Sequence, residues 1–189
     1  MKNAAVKNMT LSAMFLAIGL VLPLLTGQIQ QIGNMLLPMH IPVFLCALIC
    51  GWKYGFAVGM VLPLLRSVIF GMPPLFPTAI AMTFELATYG LVAGLLYGRS
   101  PWQCVVALYR SMLISMLAGR IVSGLVQCVL YSAGGSVFTM QMFLAGAFLK
   151  AIPGIILQLV FIPALMVALD RAKLVPFKHM KKTEPSIAN

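Results

Sequence analysis

Four ionisable side chains stand where a sequence this apolar has no ordinary use for them. Arg66, Glu85, Arg120 and Lys150 each fall within a long hydrophobic run, and a charge at the centre of a membrane-spanning helix costs about 2.5 to 3.5 kcal/mol on insertion scales. Such groups face a bundle interior or water, where they bind ligands, relay protons or pair with one another. Arginine suits the first role because its planar fork grips a carboxylate through two hydrogen bonds, whereas lysine offers a point charge. Three cations against one carboxylate leave positive charge over, and an unpaired buried charge is strongly unfavourable. At least one cation is therefore expected to await an anionic substrate, with a carboxylate the first choice. A plainer reading stands beside this one: Glu85 pairs with Arg66 or Arg120 only to hold the bundle, and Lys150 snorkels outward along its stem. His40, flanked by Pro38 and Pro42, and Asn34 join the list on position. The candidate substrate-binding residues are thus Asn34, His40, Arg66, Glu85, Arg120 and Lys150.

Other chemistries find little to work with. The chain has no Gly-x-x-x-x-Gly-Lys-Ser/Thr loop, no His-Glu-x-x-His and no Gly-x-Ser-x-Gly, and it holds only three acidic residues. No catalytic residue is assigned, and no cofactor is expected in this chain. Cys46 and Cys50 share a helix face at i, i+4, but no second cysteine pair or histidine doublet completes a metal site. They read as small packing residues, as do Cys104 and Cys128. Arg110 is most simply a snorkelling anchor near the cytoplasmic start of its helix.

The elements that must position these groups are helices in a membrane. Of 189 residues, 61% are hydrophobic and 8% charged, against about 25% charged in ordinary soluble domains. A bilayer core of about 30 Å needs about 20 apolar residues per span. The pattern predicts six spans, at about 9–26, 32–51, 54–70, 77–97, 103–131 and 142–170, forming a single compact all-α integral membrane bundle over 1–189. The apolar run from Leu11 to Leu25 is followed by no small-x-small cleavage site before Gln28, so it reads as a retained first helix. Lys2 and Lys7, Lys53, Arg99 and the residues after Asp170 fall on alternate connections, while the other three loops hold no Lys or Arg. The positive-inside rule then places both termini in the cytoplasm, with 171–189 a basic tail beside the headgroups. The net charge of +10 is topological in this reading, and nucleic acid is not an expected partner. At about 1.5 Å per residue, Arg66 lies about 18 Å from the cytoplasmic start of its span. Glu85 and Lys150 lie about 12 Å, and Arg120 about 16 Å, below their outer ends. All four fall in or near one layer in the outer half.

The segment Gly33-Asn34-Met35-Leu36-Leu37-Pro38-Met39-His40-Ile41-Pro42-Val43, followed by Gly51-Trp52-Lys53-Tyr54-Gly55, resembles the substrate-binding S components of energy-coupling factor (ECF) transporters. Length, helix number and the basic tail are similar over essentially the whole chain. Ala13-x-x-x-Ala17 in the first helix matches the family's small-residue motif. The resemblance implies that Ala13 and Ala17 dock on a separate membrane coupling subunit driven by two cytoplasmic ATPases, in a bacterial cytoplasmic membrane. It also implies a vitamin-like substrate, held in an outward-facing pocket beneath Gly27 to Ile32 and beside the loop Met72-Pro73-Pro74-Leu75-Phe76-Pro77, and carried inward as the S component topples. The surplus positive charge favours an acid such as pantothenate, nicotinate, lipoate or a folate over riboflavin or thiamine, with pantothenate the leading choice. Trp52 and Trp102 read as interfacial belt residues rather than stacking partners. The competing readings are a proton-coupled carrier or channel using Glu85 as relay, a structural subunit without a small ligand, and, most remotely, a membrane enzyme.

Overall fold

A computed structural model of the chain describes residues 2–25, 38–101, 104–133 and 152–172. Within them it is helical, with no strand. The helices are α1 (Lys2–Leu25), α2 (His40–Cys50), α3 (Trp52–Phe70), α4 (Ile80–Arg99), α5 (Val105–Ala133) and α6 (Ile152–Arg171), with a π-helical turn at Leu75–Ala79 leading into α4. Five described helical stretches are long and apolar enough to cross a membrane, and α2 is shorter. Of the expected second span, 32–37 lies outside the described residues. Pro42 is the third residue of α2, in the first turn, where a missing N–H costs no helical bond.

Glycine sets the corners and the closest crossings. Gly51, at φ 95°, separates α2 from α3, and Gly71, at φ 68°, ends α3 by donating its N–H to the Ser67 carbonyl. Both are left-handed conformations that a side chain disfavours. Where α3 meets α4 the backbones nearly touch: a Cβ on Gly90 would collide with the Gly55 carbonyl, and one on Gly59 with the Leu86 carbonyl. Small residues at this spacing let membrane helices approach closely.

The same contacts fix the relative depth of residues. Gly94 meets Trp52, Gly90 meets Gly55 and Gly59 meets Leu86, so α3 and α4 run antiparallel with a constant offset. On that register Arg66 is level with about Ala79, six residues or about 9 Å nearer the outer side than Glu85. Counting inward from helix ends treated those ends as flush. They are not, because α4 continues past the start of α3 for a further turn.

Helix α4 is the centre of the bundle. The stretch Leu75–Arg99 has 56% of its most apolar window buried, against 17% for the span in α1 and 22% for α5. It packs against α2, α3 and α5, and Leu86, Tyr89, Ala93 and Tyr97 join Phe44, Leu62, Met112 and Ile162 in one continuous core. Any polar group on its inner face must therefore find its partners inside the protein, since neither lipid nor protein hydrocarbon supplies them.

Candidate functional site

Glu85 and Tyr89 sit one turn apart on the inner face of α4, the spacing at which helical side chains meet. The Tyr89 hydroxyl donates to Glu85 Oε1 at 2.8 Å. Arg120, reaching from α5, brings Nη1 to 3.0 Å from the same oxygen. His40, the first residue of α2, places Nε2 3.6 Å from it, and its ring lies 5.3 Å from that of Tyr89. Phe44, a turn further along α2, stacks on the other part of Tyr89 with centroids 5.2 Å apart. Three helices thus converge on one carboxylate that is 4% exposed.

Gly119 makes the convergence possible. A Cβ there would strike the Tyr89 ring and press on the Glu85 carbonyl oxygen at 3.1 Å. Its absence lets α5 come close enough for Arg120, the next residue, to reach Glu85. A carboxylate and a guanidinium joined by a short charge-assisted hydrogen bond, with a tyrosine hydroxyl on the same oxygen, form a well-compensated buried pair. The polar centre has no net charge while His40 is neutral.

Arg66 lives in different surroundings. It is 5% exposed, its Nη1 donates to the Leu20 carbonyl at 3.2 Å, and its guanidinium carbon lies 5.6 Å from the Phe70 ring centroid. A cation over an aromatic face gains modestly. Among the described residues no carboxylate lies within ion-pair distance of it. The next residue, Ser67, donates to the Pro73 carbonyl at 2.8 Å, which holds the outer turn down over this end of α3.

Of the residues expected from sequence, His40, Glu85 and Arg120 come together, and Arg66 stands apart, nearer the outer surface. Asn34 and Lys150 lie outside the described residues. The partner of Glu85, left open between Arg66 and Arg120, is Arg120. Of the described cations expected in this layer, one pairs with Glu85 and Arg66 does not. Tyr89 and Gln158 were not on the list. Tyr89 could have been found from its position four residues after a buried carboxylate. Gln158 is 1% exposed within an apolar helix, and a search confined to formal charges passes over it. Among the described residues no three His, Cys, Asp or Glu side chains gather as metal ligands.

A family model described as the ECF transporter substrate-specific component matches residues 7–166. The chain belongs to this family. No curated protein and no solved structure gives a match. This S component is a multi-pass membrane protein and the substrate-binding subunit of its transporter. Ala13 and Ala17 are exposed on α1. On the opposite side of that helix Ser12, Phe15 and Gly19 are buried, with the Cys46 thiol donating to Ser12 Oγ at 3.5 Å.

Proposed function

We propose that this S component captures an anionic, vitamin-like substrate from the outer side of a bacterial cytoplasmic membrane and delivers it inward through a membrane coupling subunit and two ATPases. It has no catalytic role and no cofactor of its own. Pantothenate is the leading candidate. The observation that carries the anion is Arg66: a buried guanidinium near the outer end of α3, bonded to one backbone carbonyl and met by no carboxylate among the described residues. A guanidinium keeps its charge and has donors to spare for a two-point grip on an acid. The Glu85–Arg120 pair, already neutralised, lies deeper and fixes the walls. The same pairing argues against Glu85 as a proton relay, because its carboxylate is already engaged by arginine and tyrosine.

A thermal-shift screen of the detergent-purified protein tests this. A ligand at a hundred times its dissociation constant stabilises the folded state by about 2.7 kcal/mol. Pantothenate, nicotinate, lipoate and folate are expected to include the stabilising compound, and thiamine and riboflavin to leave the midpoint unchanged. A shift with thiamine alone would remove the anion from the reading while keeping capture. No shift across the panel with folded protein would remove capture.

A further inference from the structure

Helix α6 buries a stripe at four-residue spacing, Gly154, Gln158, Ile162 and Met166, with Pro163 beside it. Three of the stripe's residues belong in a hydrocarbon core and one does not. Gln158 is 1% exposed, and its Nε2 has no hydrogen-bond partner among the described residues. A buried amide without a partner is costly. Arg120, on the neighbouring α5, shows the same deficit at Nε, although its Nη1 holds Glu85.

A groove of about 490 Å³ near the cytoplasmic end brings Val105 and Tyr109 of α5 beside Ala164 and Arg171 of α6, which sets the two helices antiparallel. Continued outward, this register puts Gln158 about one turn to the cytoplasmic side of Arg120. Side chains lean toward the N-terminus of their own helix, so Arg120 leans inward and Gln158 outward, which narrows their difference in depth.

We infer that Gln158 is a substrate-binding residue, its buried and unpartnered amide pairing with a neutral carboxamide, ureido or hydroxyl group of the ligand. The inference rests on the capture reading above and adds the shape of the cargo. The carboxylate stays outermost at Arg66, and the neutral polar group lies deeper, so the substrate is an extended acid with its second polar function remote from the acid. A glutamine fits such a group because its amide donates and accepts without adding charge. A chain of methylenes in that position would leave the amide unpaired.

The test is Gln158→Met, which keeps length and lack of branching, together with Gln158→Glu, which keeps shape. Unliganded melting midpoints and titrations with pantothenate, biotin and lipoate are compared with wild type. Pantothenate and biotin carry a neutral amide or ureido group away from the carboxylate, and lipoate carries none. The expected result is a Gln158→Met midpoint equal to or above wild type, since removing an unpaired polar group relieves the fold. Affinity for pantothenate or biotin should fall about tenfold, with lipoate the weakest of the three for wild type. Gln158→Glu should weaken acid binding further. A clear drop in the unliganded midpoint of Gln158→Met, or misfolding of both variants, would overturn the assignment by showing that the protein itself uses the amide. Unchanged affinity in Gln158→Met would overturn it while leaving capture intact. A wild type that answers to no acid would overturn both.

Discussion

Two arginines reach into the interior of this bundle, and their surroundings differ in kind. Arg120 meets a carboxylate at 3.0 Å in the most enclosed part of the molecule, with Tyr89 on the same oxygen. Arg66, nearer the outer surface, meets a backbone carbonyl at 3.2 Å and an aromatic ring. From sequence alone the two are alike: each is a cation in an apolar helix. The contrast teaches that a buried charge becomes evidence for a ligand only when the protein has left it uncompensated. By that standard Arg120 is first a structural residue and Arg66 first a binding one.

The sharpest way to break the comparison is to remove Arg120. Arg120→Met leaves Glu85 buried without its cation, and breaking one side of such a pair costs about 3 to 5 kcal/mol. Thermal or denaturant unfolding in detergent would read this as a large loss. The double variant Glu85→Gln/Arg120→Met should regain much of it, because no charge is then left stranded. If Arg120→Met alone melted like wild type, the pair would not be structural and the distinction between the arginines would collapse.

Gly119→Leu comes next in size. Its side chain must enter space occupied by the Tyr89 ring, and forcing extra methylenes into a packed interior costs about 1 to 3 kcal/mol. The same melting experiment checks it, with Gly98→Leu as a control, since nothing lies near a Cβ at Gly98. Equal midpoints for the two variants would mean that α5 can draw back from α4 without penalty.

Arg66→Met should behave in the opposite sense to Arg120→Met. One hydrogen bond to a carbonyl is lost, worth about 1 kcal/mol, and the unliganded midpoint should move little. Affinity for the acid identified by the screen should fall by about tenfold or more. A large loss of stability with retained affinity would reverse the roles given to the two arginines.

How much of this was legible in the sequence follows from what kind of fact each feature is. The helices were visible because hydrophobic length and basic loops are local properties: Trp52–Phe70 was expected at 54–70, and Gly71 and Gly51 punctuate the chain where it turns. Glu85 and Arg120 were visible because charge in an apolar run is conspicuous. Their pairing was not, since it depends on Gly119 admitting α5 to α4, and a glycine's neighbour across an interface leaves no trace along the chain. The offset in depth between Arg66 and Glu85 was hidden for a related reason, because helix overhang is a property of packing. Gln158 was missed because an amide inside a hydrophobic helix changes composition too little to stand out, although its burial leaves it in need of a hydrogen-bond partner.

The smallest expected effect on the isolated protein belongs to α1, where exposure replaces burial. Ala13 and Ala17 are exposed, while Ser12 on the adjoining face is buried, donates to the Asn8 carbonyl at 2.7 Å and accepts from Cys46. Ala13→Leu therefore meets no neighbour within the described bundle and should change its stability by no more than about 0.5 kcal/mol, with substrate binding retained. If this face docks the coupling subunit, the added bulk must hold two helices apart, and overpacking of about 1 to 3 kcal/mol at such a contact corresponds to about a tenfold or greater loss of assembly. Vesicles containing the S component with the coupling subunit and both ATPases would then bind substrate normally and accumulate it poorly. Normal accumulation by Ala13→Leu and Ala17→Leu alike would mean that the exposed face of α1 meets lipid throughout the transport cycle, and the docking surface would have to be sought on another helix.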